Sequence, residues 1–444
     1  MAANNPTQPG MENWQRRFFP IWGAQLFSLL GSHLVGFALI WWLTKTTGSA
    51  TILATASLVG LLPQVVLGPI AGTLVDRWNR RLVMIGADSV IALATIGIAL
   101  LFWIGNIHIW QIYLLMFIRS VAGGFHFPAM QASTSLMVPN EHLARIQGLN
   151  SMVGGGMGII SAPLGALLIE ILPMQGVLAI DAVTAFIAIS PLFFISVPQP
   201  VRSSPVHAVV DQVNGVSQPA ASKSTVWQEF QAGLRYIFGW KGLLLIAVMA
   251  IIINFLLTPA FSLLPILVTK HFKGGALQLA WMNSAYGMGV VLGGLLLGVW
   301  GGFRKRMYTS LTGILGMALG VTLIGLAPEQ GYYLALAGGF ISALFNPIAN
   351  GPLFAVVQAA VAPDMQGRVF TLIGSAASLM SPIGLMIAGP LSDAVGVQTW
   401  FLVGAVAMVL LGTAAFFVPA IIDFEKGHPK EAVQTAPGQT APAD

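Results

Sequence analysis

The chain has 444 residues, of which 56% are hydrophobic and only 8% are charged, and its formal net charge is +5. Because about a quarter of the residues of a typical soluble domain are charged, this composition excludes a soluble protein and predicts a chain embedded in a lipid bilayer. Cysteine is absent, which excludes disulfide bonds and thiol chemistry.

Long apolar runs follow one another along the chain. A helix needs about 20 apolar residues to cross about 30 Å of hydrocarbon, and we count twelve such runs. They lie at 18–43, 51–74, 82–104, 108–137, 143–172, 176–197, 241–269, 277–300, 306–327, 331–361, 367–392 and 396–420. The sequence therefore predicts an all-α integral membrane protein with twelve transmembrane helices.

The distribution of lysine and arginine predicts the orientation. If the N-terminus is cytoplasmic, the loops on the other side hold only Lys45, Lys270 and Lys273. Basic residues are enriched in cytoplasmic loops, so we expect a multi-pass protein of the cell membrane with both termini in the cytoplasm. This asymmetry accounts for the basic composition, and we expect no nucleic acid as a partner.

A polar interval rich in proline, serine and glutamine divides the spans into two sets of six. The expected segments are a cytoplasmic tail (1–17), an N-terminal six-helix bundle (18–197), a cytoplasmic linker (198–240), a C-terminal six-helix bundle (241–420) and a disordered cytoplasmic tail (421–444).

Four apolar residues of the linker recur at helical spacing, opposite two charged residues. The apolar residues are Trp227, Phe230, Leu234 and Phe238, and the charged ones are Glu229 and Arg235. This pattern indicates an amphipathic helix at the membrane surface. An extension of the seventh span is an equally good interpretation.

A charged loop joins the second and third spans. It reads Gly72-Thr73-Leu74-Val75-Asp76-Arg77-Trp78-Asn79-Arg80-Arg81. Gly68, Gly72 and Arg80 recur in the second half as Gly294, Gly298 and Arg306, all displaced by one interval. A charged loop that is duplicated between two sets of spans is typical of a transporter built from two related halves.

We expect this loop to form a conformational latch from Gly72, Asp76, Arg77, Arg80 and Arg81. Gly72 allows close approach of a neighbouring helix, and Asp76 can bind backbone amides at a helix end or a basic side chain. The arginines hold the loop at the anionic membrane surface. The alternative is that they only determine topology.

Three motifs together resemble those of the major facilitator superfamily. They are Gly72-x-x-x-Asp76-Arg77-x-x-Arg80-Arg81, Arg119-x-x-x-Gly123 and Gly154-x-x-x-Gly158-x-x-x-Ala162-Pro163-x-Gly165. The first is similar to the loop 2–3 signature of that superfamily, the second to its span-four arginine motif, and the third to the antiporter motif of its exporters. Ala162 departs from the glycine usual in the third motif, and the closing Gly-Gly pair is missing.

The resemblance covers all twelve spans. Within it, Arg119-Ser120-x-x-x-x-Phe125-His126-x-Pro128 and Ile180-Asp181-Ala182 are similar to the macrolide-efflux branch of drug:proton antiporters. The resemblance implies two pseudo-symmetric six-helix bundles that export an amphiphilic compound in exchange for protons. The glycines of the third motif, with Pro163 as a bend point, predict tight packing of two spans.

Ionisable residues inside the spans are the candidate proton-coupling groups: Asp181, Arg119, His126 and His33. An arginine near mid-span costs about 2.5–3.5 kcal/mol on insertion scales, so Arg119 should face a cavity or a partner rather than extend to the membrane surface. Asp181 is the best candidate for the proton carrier, although a structural acid is an equal alternative. Hydrogen-bonded packing is the alternative for both histidines. We expect Asp88 to pair with the loop arginines.

Uncharged polar residues in the spans are candidates for a substrate cavity: Gln25, Asn254, Asn346, Asn350 and Gln358. Together with Trp, Met and Phe side chains, they suit a large amphiphilic ligand. Hydrogen bonding between helices is the alternative for each.

The sequence predicts a transporter and not an enzyme, with no cofactor and no metal. The run Gly154-Gly155-Gly156 has no preceding strand and no following Gly-Lys-Ser/Thr, so a nucleotide site is not expected. The expected partners are a small-molecule substrate, protons and the lipid bilayer, with the chain acting as a monomer. Export of a siderophore, flipping of a lysolipid, import and, remotely, a membrane enzyme remain the alternatives.

Overall fold

The computed structural model describes residues 14–75, 77–199 and 226–426. These residues form helices joined by short loops, with no β-strand among them. Twelve of the helices are long and apolar enough to cross a membrane. The prediction of an all-α protein with twelve spans is confirmed.

We number the membrane-spanning helices as spans 1 to 12. In chain order they are Trp14–Thr47, Ala50–Val75, Arg80–Ile104, Ile109–Met137, Asn140–Ile171, Met174–Phe194, Lys241–Ser262, Ala276–Trp300, Arg306–Leu326, Tyr332–Ala360, Pro363–Val395 and Val397–Ala415. Most ends lie within a few residues of the hydropathy boundaries, because both the apolar run and the helix must match the thickness of the bilayer.

Span 7 ends earlier than the expected residue 269. Its α-helix stops at Ser262, and the chain continues through a short turn, Leu264–Ile266, into a π-helix, Leu267–His271. Pro265 has no amide hydrogen for the α-helical bond and its ring crowds the carbonyl one turn earlier, which favours the interruption at Leu263. Hydropathy alone does not detect this change, because the residues next to it, Leu264, Ile266, Leu267 and Val268, are as apolar as the span.

Span 12 also ends early, at Ala415, and is followed by a short helix, Pro419–Ile422. Residues 421–426, which the sequence assigned to a tail, pack against the bundle. Ile421 and Phe424 are buried, and the Phe424 ring stacks on Trp240 with 4.2 Å between the ring centroids. The rest of the predicted tail lies outside the described residues.

A separate helix, Val226–Gly239, precedes span 7 and is called the linker helix below. The extended backbone of Trp240, with φ −116° and ψ 97°, separates it from span 7. Ile237 is buried and Gly233 packs on Arg368 and Leu372 of span 11, whereas Phe238 is exposed. The side chains of residues 226–229 lie outside the described residues.

The two halves are packed in the same way. In the first half, span 1 packs on spans 5 and 6, span 2 on span 4, and span 3 on spans 4 and 6. In the second half, span 7 packs on spans 11 and 12, span 8 on span 10, and span 9 on spans 10 and 12. This repetition confirms the predicted pair of pseudo-symmetric six-helix bundles.

The halves contact each other mainly through span 2 with span 11 and span 5 with span 8. We call the face of the molecule that carries Trp14 and Glu425 the terminal face, and the other face the opposite face. Near the opposite face, a Cβ built on Gly389 of span 11 would lie only 2.8 Å from the Cβ of Ala54 in span 2.

Open space lies beside glycines of spans 2, 5 and 11 near the terminal face. No described atom lies within 4 Å of a Cβ built on Gly68 of span 2, Gly148 of span 5 or Gly367 of span 11. The close contacts of span 2 with span 11 therefore lie near the opposite face, and open space lies beside the glycines of the same spans towards the terminal face.

Candidate functional site

The N-terminal bundle encloses a cavity of about 560 Å³, called the N cavity below. Spans 1 to 5 contribute to its lining, which includes aromatic and sulfur side chains as well as polar ones. The ionisable residues among its described lining are Asp88, Arg119 and His126. A cavity of this size lies within the range of sites for drug-sized ligands.

A buried ion pair lies at one end of the N cavity. The guanidinium of Arg119 in span 4 donates a hydrogen bond to the carboxylate of Asp181 in span 6. The Asp181 side chain is only 1% exposed and that of Arg119 is 13% exposed. Arg119 therefore faces a partner and does not extend to the membrane surface.

Two hydroxyl groups complete this ion pair. Thr95 Oγ1 in span 3 lies 3.1 Å from Asp181 Oδ2 and accepts a hydrogen bond from Arg119 Nη1 at 3.0 Å. Ser32 Oγ in span 1 donates to Asp181 Oδ1 at 3.3 Å. Gly31 leaves the room required, since a Cβ there would lie 3.2 Å from Asp181 Cα. Buried charges persist only where hydrogen bonds satisfy them in this way.

Asp88 forms a second polar group in the same cavity. Gln25 Nε2 donates to Asp88 Oδ2 at 3.0 Å, and His126 Nε2 lies 3.5 Å from Asp88 Oδ1 without hydrogen-bond geometry. The expectation that Asp88 pairs with the loop arginines is wrong. Asp88 lies two turns above Arg81, on the face of span 3 that points into the bundle, and is only 4% exposed.

The two polar groups are built from matching positions on three spans. In each span the residues are separated by seven positions: Gln25 and Ser32, Asp88 and Thr95, His126 and Arg119. Seven residues span about 10 Å of an α-helix and return to nearly the same face. The Asp88 group therefore lies about two turns nearer the terminal face than the Arg119–Asp181 pair.

A second cavity, of about 530 Å³, lies in the C-terminal bundle and is called the C cavity below. Its polar lining includes Asn254, Asn283, Tyr286, Asn346 and Asn350. The described lining contains no carboxylate, histidine or basic side chain. The polar chemistry of the C cavity is therefore uncharged.

The asparagine hydrogen bonds of the C cavity lie within single helices. Asn254 Nδ2 donates to Ala250 O at 2.9 Å in span 7, and Asn350 Nδ2 donates to Asn346 O at 3.0 Å in span 10. Such bonds do not tie one helix to another, so the alternative of hydrogen bonding between helices has no support at these two residues.

Two candidate residues are not among the described lining of either cavity. His33 in span 1 is exposed and is not part of the N cavity lining, because its neighbour Ser32 faces the cavity instead. Gln358 lies near the end of span 10, where its backbone carbonyl accepts a hydrogen bond from Gln366 Nε2 at 2.7 Å. Gln25, in contrast, lines the N cavity.

The loop between spans 2 and 3 binds within the N-terminal bundle. Arg80 Nη1 donates to Ala132 O of span 4 at 2.7 Å, and Arg81 Nη2 donates to Phe193 O of span 6 at 2.8 Å. Asn79 caps span 3, since its side chain accepts from the amide of Arg81. Arg77 is exposed, and a Cβ on Gly72 would meet no described atom within 4 Å. Asp76 lies outside the described residues.

The small residues of span 5 meet three different surroundings. Gly158 faces Gly287 of span 8, where a Cβ on Gly287 would lie 3.2 Å from the Gly158 carbonyl carbon. Gly165 lies under the Phe37 ring of span 1, and Gly154 lines the N cavity. Ala162 is buried, and Pro163 lies within the helix. The span 5–span 8 crossing is strengthened by Ser284 Oγ, which donates to Ile159 O at 2.8 Å.

Asp393, which the sequence analysis missed, joins the halves at the opposite face. Its carboxylate accepts hydrogen bonds from the amides of Ala50 and Thr51 at 2.8 and 2.9 Å, and from the hydroxyls of Ser49 and Thr51 at 2.8 and 2.7 Å. The carboxylate of span 11 thus caps the N-terminus of span 2, where a helix has unsatisfied amides and a partial positive charge. The cap residues are recognisable in the sequence, but their partner in the other half is not.

Two like-packed bundles of six spans, each with a cavity and joined at the opposite face through the Asp393 cap, define a membrane transport protein. A model of the Major Facilitator Superfamily matches residues 21–264 and 243–442. The chain belongs to this superfamily, whose members are transporters and not enzymes, and the predicted resemblance is confirmed.

Several curated relatives are named as efflux proteins. Macrolide efflux protein A of Streptococcus pyogenes is 32% identical over 93% of this chain and 98% of its own length. The protein of the same name from Enterococcus faecalis is 31% identical over 76% of this chain and 100% of its own. The multidrug efflux pump Tap of Mycolicibacterium fortuitum is 27% identical over 90% of this chain and 95% of its own length.

Solved structures support the fold alone. A mutant form of the nucleoside transporter NupG matches with a TM-score of 0.65 and 13% identity, covering 90% of this chain and 98% of that one. The xylose transporter XylE from E. coli, in an inward open conformation, matches with a TM-score of 0.61 and 14% identity, covering 89% and 95%.

Proposed function

We propose that this transporter exports an amphiphilic, macrolide-like compound from the cytoplasm in exchange for protons, by alternating access. The observation that carries the proposal is the buried Arg119–Asp181 pair beside the N cavity. Relatives named for macrolide efflux, which match 93% and 76% of the chain, support the substrate class and the direction.

In this proposal the terminal face is cytoplasmic and the protein lies in the cell membrane. The support is the concentration of basic residues in the loops of that face. The contact of the halves at the opposite face then corresponds to an inward-facing state. In that state the N and C cavities take substrate from the cytoplasm or from the inner leaflet.

Asp181 is the proposed proton carrier. When its carboxylate is charged, Arg119, Thr95 and Ser32 satisfy it. A proton on Asp181 removes the partner of Arg119 and leaves a buried cation unpaired. Breaking a buried pair costs about 3–5 kcal/mol, which is enough to change the ratio of two conformations by at least 100-fold. Protonation therefore changes the preferred state of the transporter.

The remaining candidates take positional roles in the cycle. We assign the loop residues Gly72, Asp76, Arg77, Arg80 and Arg81 to a latch that joins the halves at the terminal face in the outward-facing state. The Asp393 cap of span 2 is its counterpart at the opposite face. The crossing of Gly158 and Gly287 lies between the two faces and serves as the pivot.

Transport in proteoliposomes under an imposed pH gradient tests the proposal. We expect erythromycin to move in the direction opposite to the protons that flow down the imposed gradient. We expect Asp181→Asn to lose this coupling while it still exchanges labelled for unlabelled substrate. Glu170→Gln, which alters an exposed acid of span 5, is the matched control. Coupled transport that persists in Asp181→Asn would exclude Asp181 as the carrier.

The same assay separates the alternative cargoes and directions. A panel with a siderophore and a lysolipid, followed for efflux and for uptake, identifies which compound responds to the gradient. Movement of a macrolide in the same direction as the protons would contradict export by exchange, and so would the absence of movement of any macrolide.

A further inference from the structure

The C cavity presents polar groups that bind no other part of the described chain. Three of them are the amides of Asn283 in span 8 and Asn346 in span 10 and the hydroxyl of Tyr286 in span 8. None of these side chains makes a hydrogen bond to another described residue, and none of their polar atoms is sealed from solvent. Their donors and acceptors therefore reach the space of the cavity.

Two more amides add acceptors to the same cavity. Asn254 and Asn350 each donate a hydrogen bond within their own helix, and the Oδ1 atom of each accepts none from the described residues. A carboxamide both donates and accepts, as a hydroxyl group does. Since the described lining has no charged side chain, an ion finds no opposite charge here. The complement of this cavity is therefore an uncharged group with several hydroxyls.

Aromatic rings and open space lie beside these amides. The ring of Phe261 in span 7 contacts that of Tyr286 edge to face, with 5.2 Å between the centroids and 60° between the planes. A Cβ built on Gly339 of span 10, which also lines the cavity, would meet no described atom within 4 Å. Aromatic surface with a few placed polar groups binds and orients a ligand that has both kinds of surface. A sugar ring is such a ligand, because hydroxyls lie at its edge and apolar C–H groups on its faces.

The amides discriminate against a ligand that has no hydroxyls. An amide in apolar surroundings is unfavourable unless it is hydrogen-bonded, and in a cavity open to solvent water supplies these bonds. A ligand that displaces the water has to replace the bonds, or the amides remain unsatisfied. Sites built to bind a hydroxyl therefore reject an analogue that lacks it far more strongly than an apolar pocket rejects a change of size.

We propose that the C cavity is a subsite for an uncharged, hydroxyl-rich ring, such as the neutral sugar of a glycoside. The amides of Asn283 and Asn346 and the hydroxyl of Tyr286 bind the ring hydroxyls, and the Phe261 ring covers an apolar face of the sugar. The transporter then prefers an amphiphilic glycoside to a compound of the same shape without hydroxyls. This proposal rests on the proposed function for the entry of cargo into the C cavity.

Protection of a cysteine measures occupancy of the C cavity. The chain has no cysteine, and Ser262→Cys places one in the lining. The full-length protein in lipid nanodiscs is labelled with N-ethylmaleimide in the presence of phenyl β-glucoside or of phenoxytetrahydropyran, which has the same two rings without hydroxyls. Free concentrations of both compounds are measured, because the ether partitions into lipid.

We expect phenyl β-glucoside to protect the cysteine at a free concentration at least tenfold lower than the ether does. Equal protection by the two compounds would overturn the proposal. So would the absence of protection by the glucoside.

Two substitutions in the Ser262→Cys background then test the amides. Asn283→Leu and Asn346→Leu keep a side chain of similar size but remove its hydrogen bonds. We expect each to weaken protection by the glucoside at least tenfold and to leave protection by the ether unchanged or stronger. Asn106→Leu, which alters an exposed amide in a loop of the opposite face, is the matched control and should change neither.

The ratio of the two compounds separates recognition from structure. A merely structural role of the amides would weaken protection by both compounds equally, and that result would overturn their assignment. Thermal unfolding identifies a variant that fails to fold. In that case the comparison of the glucoside with the ether decides, because it needs no substitution at a binding residue.

The two proposals fail in different experiments. If no macrolide is exported but the glucoside is preferred to the ether, the proposed cargo and coupling are wrong and the sugar subsite remains. If coupled macrolide export is observed but the glucoside and the ether protect equally, the sugar subsite is wrong and the proposed function remains.

Discussion

Each member of the Arg119–Asp181 pair makes the other tolerable in the membrane. An unpaired arginine or aspartate inside a span is costly, whereas the paired charges with Thr95 and Ser32 leave their hydrogen bonds satisfied. Removing one member therefore lowers the free energy of unfolding more than removing both, since a single substitution leaves a buried charge without its partner.

This difference can be measured by a double-mutant cycle. We expect Asp181→Asn and Arg119→Gln each to lower the free energy of unfolding by about 3–5 kcal/mol, as followed by thermal unfolding in detergent. The apolar double variant Arg119→Met/Asp181→Leu should recover most of the stability but none of the proton coupling. A double variant as unstable as the sum of the single ones would contradict a mutually compensating pair.

The cost of charge in lipid was enough to single out Arg119 and Asp181 from the sequence, but it did not identify their partners. Thr95 and Ser32 are ordinary polar residues of apolar helices, and nothing in their local sequence marks them. Asp88 was assigned to the wrong partner for the same reason. The seven-residue spacing of Asp88 and Thr95 is visible in the sequence, but it gains meaning only once spans 1, 3 and 4 are known to surround one cavity.

At the scale of the elements, the contact between spans 2 and 11 depends on one helix end. Asp393 satisfies the free amides of span 2 and does so across the interface between the halves. A carboxylate at a helix N-terminus stabilises it both by hydrogen bonds and by the helix dipole. The cap therefore favours the state in which the opposite face is closed.

Asp393→Asn should shift the protein towards the state that is open at the opposite face. The amide keeps one acceptor oxygen but loses the charge, and each lost charge-assisted bond is worth about 1.5–3 kcal/mol. The chain has no cysteine, so a single Thr258→Cys in the C cavity reports access. We expect an impermeant thiol reagent added at the opposite face to label this cysteine at least tenfold faster in the Asp393→Asn background.

Glu329→Gln supplies the matched control for that experiment. Glu329 lies in a loop of the opposite face but pairs with Lys273 of its own half at 2.9 Å. Its loss should leave the labelling rate unchanged. Equal acceleration by both substitutions would mean that loop charge in general, and not the cap of span 2, controls the opening.

At the scale of the whole molecule, the bilayer explains why the fold was predictable and the conformation was not. Spans 1 to 12 must each place about 20 apolar residues in the hydrocarbon of the bilayer. The glycines that recur before the charged loop of each half reveal the two halves. The relative position of the halves is a different matter, because two states of a transporter differ by only a few kcal/mol. That balance depends on contacts such as Asp393 with Ala50, which join residues far apart in the chain.

The pivot between the halves gives the last prediction. A Cβ on Gly287 would lie 2.8 Å from Ile159 Cγ1 and 3.2 Å from the Gly158 carbonyl carbon, so Gly287→Val must separate spans 5 and 8. We expect this variant to fold but to lose at least nine-tenths of its transport rate in proteoliposomes, because the halves can no longer rock about a close crossing. Gly156→Val, with no described atom within 4 Å of the added Cβ, is the control and should transport normally. Normal transport by Gly287→Val would show that the crossing is not a pivot, whatever its packing.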